Sequence, residues 1–135
     1  MKRSVAREQA FILIFEKSFR DDSMEEIIED AVFARQLEDN AFMRELAQGT
    51  FDHVDAIDQL IQKHCIGWKI ERISRVALAI LRLCCFELKF RSDIPVGVSI
   101  DQAVELAKKF GSSEDASYIN GVLGSISRTE ELVKE

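Results

Sequence analysis

The side chains able to do chemistry in this 135-residue chain are few and scattered. His53 and His64 stand eleven residues apart, Cys65 follows His64, and Cys84 and Cys85 are adjacent inside an apolar run. A zinc or redox centre needs paired ligands at short spacings, and His64-Cys65 has no second half to match it. Neighbouring cysteines cannot easily bridge to each other, so all three read as reduced core residues and the two histidines as structural or surface residues. The carboxylate pairs Glu25-Glu26, Glu114-Asp115 and Glu130-Glu131 fall at helix starts or exposed ends, not where a general acid is made. Nucleophile elbows, phosphate loops and dinucleotide fingerprints do not occur. The reading is of a protein that is not an enzyme, with no catalytic residue, metal or cofactor.

Cations and aromatic rings remain. The net charge of −6 argues against nucleic acid only if it is evenly spread. Residues 1–20 carry five basic side chains against two acidic, 21–60 two against twelve, 61–92 seven against two, and 93–135 four against eight. Two basic segments therefore bracket an acidic one, and a local positive field survives an acidic total. Lys2, Arg3 and Arg7 are placed to meet phosphates, where charge and reach matter more than base identity. Phe110 and Tyr118 flank the turn Gly111-Ser112-Ser113 and serve either as stacking faces for unpaired bases or as anchors of the core. Phe11, Phe15 and Phe19 form an i, i+4 stripe, either buried from a second side or left open for a partner.

The elements that must hold these residues are helices. One Pro, six scattered Gly and the shortage of alternating β-branched runs leave little punctuation for strands. A first helix over 4–20 buries Ala6, Ala10, Leu13, Ile14 and Lys17; a second lies near 24–36, capped by Asp21, Asp22 or Ser23. A third, longer helix runs from Asp39 or Asn40 to about His64, with Phe42, Leu46, Gly49, Ile57, Leu60 and Ile61 inward and Gly49 marking a close crossing. Gly67 and Trp68–Ile73 break the chain before Ser74 caps an apolar central helix to about Phe90, in which Arg82 is a carboxylate-paired structural arginine. Asp93-Ile94-Pro95 turns. Ser99-Ile100-Asp101-Gln102 then reads as a capping box with Val98 and Ala103 as its staple, opening a helix that stops at Gly111. Ser112 or Ser113 caps a last helix, with Ala116, Ile119, Leu123 and Ile126 inward, ending near Arg128 before a frayed tail over 129–135. The length suits one domain, and no apolar run approaches the ~20 residues that cross a bilayer, which points to a soluble, cytoplasmic protein.

The C-terminal half carries a resemblance. Ala79-Ile80-Leu81-Arg82-Leu83, Phe86-Glu87-Leu88, Asp93-Ile94-Pro95, the run Asp101 to Gly111 (DQAVELAKKFG) and Asn120-Gly121-Val122-Leu123 are similar to the NusB family in order, spacing and type. Ala6-Arg7-Glu8 followed by Phe15 fits the family's opening helix. The resemblance implies an all-α fold of about seven helices in two small bundles packed across each other, about 1–66 and 67–128 within one domain.

It also implies a function. NusB-type proteins pair with NusE, a small-subunit ribosomal protein, and the pair binds single-stranded boxA RNA, helping RNA polymerase pass terminators in ribosomal RNA operons. Carried over by position, the RNA surface comprises Lys2, Arg3, Arg7, Glu71, Phe110, Tyr118 and Asn120. The partner surface comprises Phe15, Phe19 and the start of the central helix, Arg75 and Ala77. Four positions depart from the family pattern. Ser4 and Val5 stand where arginine is frequent. Phe15 replaces a tyrosine, losing a hydrogen bond worth roughly 1 kcal/mol. Ala77 stands where an acidic residue commonly faces NusE. The alternatives are the NusB-like module of an RNA methyltransferase and a helical adaptor holding protein alone through the Phe11/Phe15/Phe19 stripe. The same stripe would equally serve a homodimer.

Overall fold

In a computed structural model, residues 1–65 and 70–130 are described. Among them are seven α-helices and one short 3₁₀ turn: α1 (Arg3–Lys17), α2 (Met24–Ala34), α3 (Ala41–Asp52), α4 (Val54–His64), the turn Ile70–Arg72, α5 (Arg75–Phe90), α6 (Val96–Phe110) and α7 (Ser113–Thr129). The break expected at Gly67 and Trp68 lies outside the described residues, as does all of the expected frayed tail beyond Glu130. No helix among the described residues is long and apolar enough to cross a membrane.

The helix starts follow local chemistry. Ser23, Asn40, Ser74 and Ser112 each accept a backbone N–H from three residues on, which satisfies one of the amides that a helix start leaves unpaired. α1 ends at Lys17 because the next amides turn back to carbonyls only three residues behind, Ser18 to Phe15 and Phe19 to Glu16. Phe19, expected inside the helix, therefore lies just past its end.

α5 is the organising element. It packs against α1, α3, α4, α6 and α7, and ten of its sixteen residues are buried. α1 lies antiparallel to it, since Arg7 reaches Glu87 near one end and Arg75 reaches Ser18 near the other. Gly49 of α3 makes the expected close crossing: a Cβ there would stand 2.3 Å from the Phe86 ring. Cys65, Cys84 and Cys85 are buried thiols, and burial pushes the Cys85 thiol up to about 12, far from the reactive range.

Two further helix boundaries differ from the sequence reading. The long third helix is two, broken at His53, whose backbone leaves the helical region (φ −111°, ψ 18°). Its ring Nδ1–H donates to the Gly49 carbonyl at 2.9 Å, a local contact, and its face lies 4.1 Å from the Phe90 ring, a contact remote in sequence. The expected capping box at Ser99 is not a helix start. α6 begins at Val96 with Pro95 as its N-cap, Ser99 is already inside the helix, and Val98 is exposed. Proline reaches this position without losing a hydrogen bond, since its missing N–H falls where the helix makes none. The capping box instead forms at α7, where Ser112 and Asp115 exchange side-chain-to-backbone bonds.

Candidate nucleic-acid and partner interface

Of the three expected phosphate contacts, two are free to act. Lys2 is exposed, and the Arg3 side chain is 58% exposed, with only a loose 3.6 Å pairing to Asp93. Arg7 is different. Its residue is 4% exposed, its Nε and Nη2 donate to both oxygens of Glu87 at 2.7 and 3.0 Å, and Nη1 reaches Gln102 at 3.4 Å. Ser99 closes the network by donating to Glu87 Oε1 at 2.9 Å. The role read for Arg7 at the phosphates is therefore corrected: its guanidinium is committed inside the fold. Arg82, expected to be paired, is paired, to both oxygens of Asp58.

Arg3 is held from below by a ring that sequence reasoning missed. The guanidinium carbons of Arg3, Arg91 and Arg7 lie 4.5, 5.0 and 5.5 Å from the centre of Phe42 at the start of α3. Arg91 in turn grips Asp93 through two bonds and holds that carboxyl well below the usual carboxylate range. No local pattern reveals this cluster, because its members come from α1, α3 and the chain after α5.

The aromatic candidates divide between two places. Phe110, 37% exposed, packs its ring 5.0 Å from Phe11 of α1. From there the rings continue, Phe11 to Phe15 at 6.2 Å and Phe15 to Phe19 at 5.0 Å, and end under the Arg75 guanidinium, 4.5 Å above Phe19. From Phe11 onward exposure rises: Phe11 is buried, Phe15 half-buried and Phe19 61% exposed. The row thus joins the proposed RNA ring Phe110 to the proposed partner surface. Arg75 is fixed over Phe19 by donating to the Ser18 carbonyl at 2.9 Å.

Tyr118 lies elsewhere, in a cleft of about 350 Å³ between the start of α5 and the start of α7, lined by Arg72, Ile73, Ser74, Ala77, Glu114 and Asp115. Its hydroxyl is turned inward beside the Cys65 thiol, and burial together with that thiol raises its pKa. Only part of the ring remains available. Ala77 is 1% exposed, a wall of the same cleft, so its expected contact with a partner is corrected to a shaping role. Glu71 is exposed in the 3₁₀ turn. Asn120 is exposed but lines a different groove, with Asp101, Val104 and Lys108, because two residues of helix turn it about 200° away from Tyr118. Neither histidine is available as a ligand pair: His64 is buried, with Nδ1 against Ser125 at 2.8 Å and Nε2 against Glu130 at 2.9 Å.

The ring row thus runs along α1 from the end of α6 to the start of α5, the cations sit at the start of α1, and the Tyr118 cleft lies between the starts of α5 and α7. Comparison with known proteins decides the family. The model of the NusB family matches residues 4–128. The chain belongs to the NusB family. It is 40% identical over 126 residues to the transcription antitermination protein NusB of Bacillus subtilis, covering 93% of this chain and 95% of that one. It is 41% identical over 128 residues to the protein of the same name from Acetivibrio thermocellus, covering 93% and 88%. Among solved structures it matches T. maritima NusB with a TM-score of 0.86, at 32% identity over 96% of this chain and 92% of that one. It also matches a structure of the antitermination factors NusB and NusE in complex with dsRNA, with a TM-score of 0.83 at 27% identity, covering 93% and 96%. The NusB fold of seven helices agrees with the arrangement implied by the sequence resemblance.

Proposed function

We propose that this chain is a transcription antitermination factor that binds single-stranded boxA-type RNA together with a NusE-type ribosomal protein, as part of an antitermination complex on RNA polymerase. It acts in the cytoplasm as one domain and is not an enzyme. The observation that carries the reading is the continuity of the row Phe110–Phe11–Phe15–Phe19–Arg75, which places a ring suited to a base at one end and an exposed ring and cation suited to a protein at the other. Lys2 and Arg3 supply charge beside it, in a protein whose total charge is of the wrong sign. The solved relative of NusB and NusE with dsRNA supports a surface shared by protein and RNA.

Fluorescence anisotropy of a labelled boxA-type RNA, with the NusE-type protein from the same source, tests this. The complex should bind that RNA more tightly than the chain alone and more tightly than a scrambled RNA. Equal affinity for the scrambled RNA overturns the antitermination reading. Capture of the NusE-type protein with no RNA binding by the pair leaves a helical adaptor.

A further inference from the structure

We infer that Lys109 is a further phosphate-binding residue of this surface, kept occupied in the free protein by Glu8, whose carboxylate stands in for a phosphate. The inference rests on the RNA-binding reading above and adds a residue to it. Lys109 is in the last turn of α6, and its side chain is 61% exposed. Its ammonium lies 2.7 Å from Glu8 Oε1 and 5.4 Å from the centre of the Phe110 ring, so the charge sits between α1 and the ring proposed to meet a base. Glu8 is five residues beyond Arg3 on α1, about 7.5 Å of helix rise. That places Lys109 against the same first half of α1 as Arg3, about a turn and a half further along. The neighbouring Lys108 pairs with Glu105 on its own helix and lines the groove that holds Asn120. An exposed ion pair contributes little to stability, so exchanging the carboxylate for a phosphate costs the fold little. The exchange also releases Glu8, a negative charge that would otherwise face the strand.

The test is a cycle of Lys109→Ala, Glu8→Gln and the double variant, each with the NusE-type protein and a short single-stranded boxA-type RNA over a range of salt. Lys109→Ala should weaken binding about three- to tenfold at low salt and reduce the log–log salt slope by about 0.7, the contribution of one contact to a single strand. Glu8→Gln should tighten binding about two- to threefold in the wild-type background, as expected when an exposed competing charge is removed. In the Lys109→Ala background it should do less. Melting temperatures should change little, since the Lys109 side chain is 61% exposed and the Glu8 side chain, 25% exposed, is only partly covered. Unchanged affinity and slope for Lys109→Ala, with wild type binding normally, overturns the inference and leaves the function standing. Weaker binding by Glu8→Gln overturns the stand-in role. Failure of the wild-type complex to bind the RNA overturns the function and this inference together.

Discussion

Arg7 and Glu87 form a two-pronged ion pair across eighty residues of sequence, with side chains only 5% and 1% exposed. A charge buried this deeply is tolerable only while its partner is present. Arg7→Ala should therefore destabilise the protein by about 3–5 kcal/mol, and Glu87→Ala by a similar amount, because each leaves the other charge unpaired. Urea denaturation of both variants checks this. A loss below about 1 kcal/mol, the scale of a surface pair, would contradict the account.

Gly49 should tolerate no side chain. A Cβ at this position meets the ring of Phe86 at 2.3 and 2.5 Å, and Phe86 is itself buried between helices. Gly49→Ala gains intrinsic helix propensity of up to about 1 kcal/mol, yet overpacking costs typically 1–3 kcal/mol. The net expected result is a lower melting temperature. A Gly49→Ala protein that melts higher than wild type would show that α3 and α5 can move apart freely.

The end of α7 should loosen in acid. Hydrogen bonds from Lys63 and His64 hold the Glu130 carboxyl down at about 2. A depressed carboxylate pKa contributes stability that is fully present above the unfolded value, near 4.3, and lost as pH falls through the folded one. Wild type should therefore lose stability between about pH 4.5 and 2, and Glu130→Gln should lose less over the same window. Thermal melts at several pH values, compared between the two proteins, measure the difference. Parallel curves would rule out the contribution.

The partner surface makes a separate prediction. Phe19 is exposed past the end of α1, with Arg75 stacked on it, so neither ring nor cation is needed to hold the core. Phe19→Ala should leave the melting temperature within about 1–2 °C, as an exposed substitution of less than ~0.5 kcal/mol does. Its affinity for the NusE-type protein should fall about tenfold or more, as for an exposed aromatic at the centre of an interface. Calorimetric titration gives the affinity, and wild-type binding by this variant would move the partner elsewhere.

What was legible in the sequence was mostly what neighbouring residues determine. Ser23, Asn40, Ser74 and Ser112 mark helix starts because each bonds an amide three residues away. Gly49 marked a crossing because an inward glycine at helical spacing leaves room for another helix. The failures were set at long range. His53 interrupts an apolar periodicity that continues undisturbed on both sides, and the ring that holds the break, Phe90, is 37 residues away. Ser99 reads as a cap because Gln102 follows three residues later, but its hydroxyl belongs to Glu87 and the helix begins at Val96. Arg7 looked like a phosphate ligand because it follows Lys2 and Arg3 in a basic segment. Arg3 lies one turn earlier on the same face of α1, and only the fold shows that Arg7 is enclosed against Glu87 while Arg3, at the helix start, stays in solvent.

In the proposed function, RNA touches Lys2, Arg3, Phe110 and Tyr118 beside a NusE-type partner. The most direct measurement is an NMR titration of the isotope-labelled chain, bound to unlabelled NusE-type protein, with boxA-type RNA. Amide and aromatic shifts should concentrate at the start of α1, at Lys109 and Phe110, and around Tyr118, with the acidic helices α2 and α3 left nearly silent apart from Phe42 beneath Arg3. Shifts centred on α2, or none at any RNA concentration, would contradict it.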